Sequence, residues 1–108
     1  MSNAMAKYPN VWIGHLLHRG KITRYFRAEV SIPEGITLPE SFKSIEKTDS
    51  LGRRIFASDW TRNIHDASKD ASRLMGYFRN HKIKAVYFQE IRAYYFEGEL
   101  DAEIKGDL

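Results

Sequence analysis

The chain has 108 residues, of which 43% are hydrophobic and 13% aromatic, and its net charge at pH 7 is only +3. This composition is typical of a folded domain rather than a disordered chain, and the length suits one domain with one modest core. The sequence contains no cysteine, which excludes disulfides, thiolate nucleophiles and cysteine-ligated zinc.

No long apolar stretch is present in the sequence. The longest apolar runs are four residues, such as 85–88, whereas a membrane-spanning helix needs about 20. The start of the chain also lacks the apolar core of a signal peptide, so we expect a soluble, cytoplasmic protein. Residues 1–4 are interpreted as a vector-derived remnant, residues 5–96 as a single domain and residues 97–108 as an acidic tail.

Residues 11–18 and 22–32 predict two strands joined by a tight turn. Side chains of the second strand alternate, with Ile22, Phe26, Ala28, Val30 and Ile32 on one face and Thr23, Tyr25, Arg27, Glu29 and Ser31 on the other. A period of two is the signature of a half-buried strand. Gly20, between the two strands, supplies the positive φ that a tight hairpin requires.

A weaker strand is predicted at residues 42–48 and a fourth strand at residues 53–58, and a helix follows them. Ser58 or Asp59 is the predicted N-cap of this helix, which should end at residues 80–81. Its apolar side chains recur at intervals of three and four residues over five turns, which predicts one buried stripe. The stripe consists of Trp60, Ile64, Ala67, Ala71, Leu74 and Phe78.

Residues 82–96 are rich in β-branched and aromatic side chains and predict a long last strand. Its alternation fails around Gln89 and Glu90, which predicts a bulge or a sharp bend there. Beyond residue 96 the pattern fits either a continued strand or a helical turn, and both alternatives stay open. The predicted order is β-β-β-β-α-β, an α+β domain with a mostly antiparallel sheet of about five strands and one amphipathic helix on one face.

Charge is distributed unevenly along the chain. Residues 97–108 hold five acids and one base, a net charge of −4, and the rest of the chain carries +7. The acidic row of Glu97, Glu99, Asp101 and Glu103 is interpreted as a solvated tail. If extended, it would offer ligands to Mg²⁺ or Ca²⁺, but it lacks the turn residues of a calcium loop. A third interpretation pairs the row with a basic hairpin, in this chain or in a partner.

That hairpin, residues 15–30, carries the candidate ligand-binding residues: Arg19, Lys21, Arg24, Tyr25 and Arg27. Lysine and arginine contact phosphates, and aromatic rings stack on unpaired bases. The hairpin is therefore a candidate surface for nucleic acid or for an acidic protein. The competing interpretation is a solvated edge, because edge strands carry Lys and Arg to prevent aggregation.

No catalytic or metal-binding motif is present, and neither a metal nor a cofactor is predicted. His65 and Asp66 fall on a helix face of alternating charge, which is interpreted as solvated. His15 and His18 are three residues apart on a strand, so they should point to opposite faces and cannot share a metal ion.

The sequence thus predicts a small non-catalytic binding or accessory protein that contacts nucleic acid or an acidic partner through the hairpin. The first alternative is a protein-interaction module that forms a homodimer through the aromatic surface of its last strand, with Tyr87, Tyr94 and Tyr95 as candidates. The second is a small metal-independent ribonuclease built from histidine, arginine and tyrosine side chains of the hairpin.

Overall fold

One five-stranded mixed sheet with a helix on one face makes up the fold. The structure is a computed structural model that describes residues 7–108, so the remnant expected at residues 1–4 lies outside the described residues. None of the helices in the described range is long and apolar enough to cross a membrane. The elements are β1 (Asn10–His18), β2 (Lys21–Ser31), β3 (Lys43–Thr48), β4 (Arg54–Ala57), α1 (Ile64–Asn80), β5 (Val86–Phe96) and the single-turn α2 (Ala102–Lys105).

The predicted α+β class and the order β-β-β-β-α-β are confirmed. The strands lie side by side in the order β3-β4-β2-β1-β5, and only β1 and β5 are parallel neighbours within the described residues. At the turn between β1 and β2, Arg19 and Gly20 both have positive φ, 50° and 78°. Two such residues are the pattern of a type I′ turn, so the predicted role of Gly20 is confirmed.

The main hydrophobic core lies between α1 and the two central strands. Val11 and Ile13 of β1 and Ala28 and Val30 of β2 face the helix and are at most 3% exposed. The helix buries four side chains of the predicted stripe, Ala67, Ala71, Leu74 and Phe78. Because the side chains of Ala67 and Ala71 are single methyl groups, the helix backbone can approach the sheet closely.

The predicted start of the helix is wrong. The helix begins at Ile64 rather than after Ser58 or Asp59, and its N-cap is Asn63. The Asn63 Oδ1 accepts a hydrogen bond from the backbone N–H of His65 at 2.9 Å. This bond satisfies one of the free N–H groups of the first turn, which is the function that the earlier residues were expected to serve.

The segment before α1 is extended because it pairs with β2. Thr61 forms an antiparallel bridge with Phe26, in which the two N···O distances are 2.7 and 2.8 Å. Trp60 therefore lies outside the helix, and its ring packs beside Tyr94, with ring centroids 5.7 Å apart. Periodicity assigned Trp60 to the stripe only because it precedes Ile64 by four residues.

The prediction that β2 is half-buried is wrong, because the strand is covered on both faces. Its whole polar row is at most 7% exposed: Thr23, Tyr25, Arg27, Glu29 and Ser31. Ile22, which was assigned to the apolar face, is 76% exposed because it follows the hairpin turn, at the end of the strand away from the core.

The sheet curls away from α1, and we call the face opposite the helix the concave face. Lys47 of β3 spans from one edge of the sheet to the other, where its Nζ donates to the Tyr95 carbonyl of β5 at 3.0 Å. In a flat sheet of five strands these edges would be about 19 Å apart, which no lysine side chain bridges. This curvature encloses the polar row of β2.

The irregularity predicted in β5 is confirmed. Residues 88–90 lie opposite Trp12 alone, between the pairs Val11–Tyr87 and Ile13–Ile91. This is a bulge with two extra residues, so Tyr87 and Ile91 still point to the same face. The regular part of the strand is therefore residues 91–96.

Substitutions on the buried face of α1 should destabilise the fold. Leu74 is 1% exposed, and we expect Leu74→Ala to lower the free energy of unfolding by about 2–5 kcal/mol, because it leaves a cavity. Ala71→Glu should be at least as damaging, since it places a charge in the core. Urea denaturation measures both, with the exposed Ser72→Ala as control. An unchanged urea midpoint for either core substitution would contradict the assignment of this face.

Candidate functional site

The structure divides the five predicted binding residues into two groups. Arg19, Lys21 and Arg24 are exposed at or near the hairpin turn. Tyr25 and Arg27 are buried on the concave face, at 6% and 7% exposure. The hairpin therefore exposes three cations to solvent instead of four, because Arg27 forms an ion pair inside the protein.

Arg27 is paired with Glu29 on the concave face. The Arg27 Nε donates to Glu29 Oε2 at 2.9 Å, and the two side chains are 8% and 4% exposed. The indole N–H of Trp12 donates to the other carboxylate oxygen at 2.8 Å. Gly14 makes room for this carboxylate, because a Cβ at that position would clash with it. The ion pair and the hydrogen bond from Trp12 thus compensate the buried carboxylate, and Gly14 leaves the space that it occupies.

Aromatic rings enclose the Arg27 guanidinium group. Its Cζ lies 3.9 Å from the centroid of the Trp60 ring and 4.4 Å from that of Tyr94. Lys47 places a second cation 3.9 Å from the Tyr94 centroid. Cation–π contacts of this kind offset part of the hydration that a buried cation loses. The Arg27 Nη2 nevertheless has no hydrogen-bond partner among the described residues.

Most of this cluster is missing from the predicted site residues. The sequence did contain one indication of this cluster: Arg27 and Glu29 are two residues apart on a strand and must share a face. Tyr94 carried no such signal. It reaches the cluster because β5 pairs with β1 in parallel, a contact that joins residues about 80 positions apart.

The acidic segment, residues 97–108, folds back over the concave face. Of the alternatives left open by the sequence, a short helical turn, α2, is the one observed. Ile104 of α2 is 7% exposed and packs against Leu16 and Tyr25. This apolar contact anchors the acidic segment to the side of the sheet on which the hairpin residue Tyr25 lies.

Asp107 of the acidic segment is bound by two side chains. The Tyr25 hydroxyl donates to Asp107 Oδ2 at 2.8 Å, and Arg62 Nη1 lies 3.2 Å from Asp107 Oδ1. The hydrogen bond from Tyr25 is the main cause that lowers the pKa of Asp107, and Arg62 lowers it further. The same hydrogen bond raises the pKa of Tyr25.

Glu99 connects the acidic segment to the hairpin turn. Its carboxylate lies 3.5 Å from Arg19 and 3.2 Å from Lys105. The pKa of Glu99 is lowered mainly by the hydrogen bond from Lys105, and the charge of Arg19 adds to the effect. The interpretation in which the acidic segment pairs with the hairpin of the same chain is therefore the one observed. Within residues 7–108, Lys21 and Arg24 make no ion pair.

The acidic segment does not fill the concave face. A cleft of about 470 Å³ remains beside α2, lined among others by Lys43, Asp59, Trp60, Asp101 and Glu103. The segment thus lies on the sheet through two apolar side chains, Ile104 and Leu100, and a few polar contacts, not as a fully packed layer.

The two hairpin histidines do not share a site. His15 lies on the helix side of β1, stacked on Phe26 with ring centroids 4.4 Å apart. His18 lies beside Phe96 on the concave side, and its Nε2 is 2.8 Å from the Gly98 carbonyl oxygen. Their predicted opposite orientation is confirmed. Across the described chain, no group of three or more His, Asp or Glu side chains is placed to hold a metal ion.

Comparison with protein-family models, with curated proteins and with solved structures finds no match for this chain. The functional interpretation therefore depends on the contacts described above.

Glu29→Ala should strongly destabilise the protein. It leaves Arg27 buried without its carboxylate, and breaking a buried pair in this way costs about 3–5 kcal/mol of unfolding free energy. Glu46→Ala removes an exposed acid from β3 and should change stability by less than about 0.5 kcal/mol. Urea unfolding compares the two variants, and equal midpoints would show that the buried pair has no structural importance.

Tyr25 should ionise at a higher pH than an ordinary tyrosine, whose pKa is about 10. The hydrogen bond to Asp107 stabilises the protonated hydroxyl, so its contribution to stability is complete below about pH 10 and is lost as the pH rises through the raised pKa. Asp107→Asn should lower the pKa of Tyr25, whereas Glu97→Gln should not. Alkaline titration followed by tyrosinate absorbance tests this, and identical curves for wild type and Asp107→Asn would contradict it.

Proposed function

We propose that this protein is a non-catalytic binding module that binds an acidic segment of a partner protein on its hairpin surface. We define the hairpin surface as the cations Arg19, Lys21, Arg24 and Arg62 together with the hydroxyl of Tyr25. The observation that supports this proposal is that the chain's own acidic segment contacts Arg19, Arg62 and Tyr25 of this surface.

The contacts of the acidic segment indicate which chemistry the surface accepts. The Tyr25 hydroxyl and Arg62 share the carboxylate of Asp107, and Arg19 lies beside that of Glu99. All three donors contact side-chain carboxylates of an irregular segment that contains a short helix, with Glu99 before the helix and Asp107 after it. A partner that offers carboxylates at similar intervals would satisfy the same donors.

An apolar anchor favours a polypeptide over nucleic acid as the ligand. Ile104 supplies an aliphatic side chain that packs on Leu16 and Tyr25, and nucleic acids contain no such group. Nucleic acids would instead use exposed rings for stacking, but Trp12 is only 4% exposed and its indole N–H is bonded to Glu29. The hairpin surface is therefore better matched to carboxylates and one aliphatic anchor than to phosphates and bases.

The acidic segment is held weakly enough to be displaced. The side chains of Arg19 and Glu99 are 58% and 73% exposed, and exposed ion pairs contribute about 0–1 kcal/mol each. Lys21 and Arg24 are exposed and form no ion pair with the segment within the described chain, although the charge of Arg24 helps to lower the pKa of Asp107. A partner with more carboxylates would bind Lys21 and Arg24 as well and would compete with the chain's own acidic segment.

A labelled peptide with the sequence of residues 97–108 tests this proposal directly. The chain's own segment is first weakened by Ile104→Asn, which removes its apolar anchor, and circular dichroism confirms that the variant is folded. Fluorescence anisotropy at about 50 and 200 mM salt should show binding of the peptide that weakens as salt increases. Adding Lys21→Glu and Arg24→Glu should weaken binding about tenfold or more, because two attractive charges become repulsive.

The matched control reverses two cations of α1, Lys69→Glu and Arg73→Glu, and should leave peptide affinity unchanged. A peptide in which all acids are amides should not bind. Single-stranded RNA of the same charge is titrated in parallel. Binding of the RNA but not of the peptide would identify a nucleic-acid surface instead, and binding of neither would show that the hairpin is a solvated edge.

A further inference from the structure

We infer that β5 is also an association surface, and that its partner is the β5 strand of a second copy of this chain. The two strands pair antiparallel about a twofold axis at Ala93, so that two five-stranded sheets become one continuous sheet. This surface is separate from the hairpin surface and goes beyond the function proposed above.

Within residues 7–108, the outer edge of β5 pairs with no other strand, and of its outward main-chain groups the Tyr95 carbonyl accepts a hydrogen bond from Lys47. At the ends of the strand, the Val86 N–H donates to Pro9 O at 2.8 Å and the Phe96 carbonyl accepts from Arg19 N at 3.2 Å, both toward β1. Main-chain groups alternate in direction along a parallel strand, so those of Ile91, Ala93 and Tyr95 point away from β1. A regular edge of this kind is a template for another strand.

Apolar side chains accompany this free edge. Tyr87, Ile91 and Tyr95 are 37%, 48% and 63% exposed and lie on the helix side of the sheet. The helix leaves them exposed, because it packs mainly on β1 and β2. Half of the large exposed hydrophobic side chains of the described chain are thus on one strand, which is a signature of an association surface.

The position of the axis follows from the bulge and from the charges. Only residues 91–96 are regular, and an axis at Ala93 pairs residues 91–95 with themselves through about six main-chain hydrogen bonds. In this register Ile91 lies opposite Tyr95 of the second copy, a favourable cross-strand combination. An axis at Arg92 would instead place two arginines opposite each other, which is unfavourable.

Self-complementarity is what selects a second copy as the occupant. On the helix side of the sheet, the two ends of the stretch 91–95 carry the apolar side chains of Ile91 and Tyr95. The smallest side chain, Ala93, lies between them on the axis. On the concave side the same register puts Arg92 opposite Tyr94 of the second copy, so the two arginines of the dimer do not face each other. Lys47, which donates to the Tyr95 carbonyl, does not block this pairing, because a carbonyl oxygen accepts two hydrogen bonds.

Sedimentation velocity from about 1 to 100 μM should show a concentration-dependent dimer. The double substitution Ile91→Lys/Tyr95→Lys should raise the dissociation constant about tenfold or more, because it places four cations along the shared edge. Leu51→Lys is the matched control, since Leu51 is also an exposed apolar residue, at 42%, but lies outside β5. Binding of the residue 97–108 peptide should survive the β5 substitutions, which separates this surface from the hairpin surface.

A cysteine cross-link tests the register independently. The chain has no cysteine, so Ala93→Cys introduces a unique thiol. Residues on the axis of a hydrogen-bonded antiparallel pair have Cα atoms about 5.5 Å apart, a separation that a disulfide spans. Mild oxidation should link Ala93→Cys into a dimer and leave Ser72→Cys, on α1, unlinked. A wild-type chain that stays monomeric at 100 μM or so, or a dimer that survives the double lysine substitution, would overturn the inference.

Discussion

The Arg27–Glu29 pair is the constraint on which the rest of the concave face depends. A charged pair removed from water is stable only when its remaining donors and acceptors are satisfied or its charge is compensated. Trp12 supplies a donor to the carboxylate, and Trp60 and Tyr94 enclose the guanidinium group. These contacts come from β1, from the segment before α1 and from β5. One ion pair therefore joins three distant parts of the chain.

The same pair explains why the hairpin differs from a simple basic surface. The concave face of β2 is occupied by internal contacts, so cations available to a ligand lie only near the turn and on neighbouring elements, as Arg62 does. The acidic segment then contacts this remaining surface through Tyr25 and Arg19. The arginine side chains in its ion pairs are largely exposed, so these pairs contribute little, whereas Ile104 and the partly buried Tyr25–Asp107 hydrogen bond anchor the segment.

The helix and the acidic segment do not cover all strands of the sheet equally. As a result, the two proposed surfaces lie on different parts of the sheet. The helix covers β1 and β2 from one side, and the acidic segment covers the concave face from the other. Among the described residues, the regular half of β5 has no strand on its outer edge and keeps uncovered apolar side chains. The bulge at residues 88–90 limits this edge at one end, as edge strands commonly require.

Local patterns in the sequence determined several features of the structure. The 3.6-residue period identified the buried stripe from Ile64 to Phe78, Gly20 identified the hairpin turn, and the interrupted alternation at Gln89–Glu90 located the bulge. Each depends on backbone geometry and on neighbours a few residues away, so each is readable without the fold. The order of elements followed from the same patterns and fixed the α+β class.

Only the tertiary structure decided which polar residues are buried and where Trp60 lies. Alternation along β2 showed that Arg27 and Glu29 share a face, but not that curvature and the acidic segment would cover that face. Trp60 fitted the helical period, yet the bridge between Thr61 and Phe26 keeps its segment extended. In both cases the deciding contacts join residues that are far apart in sequence, and such contacts leave no local periodic signal.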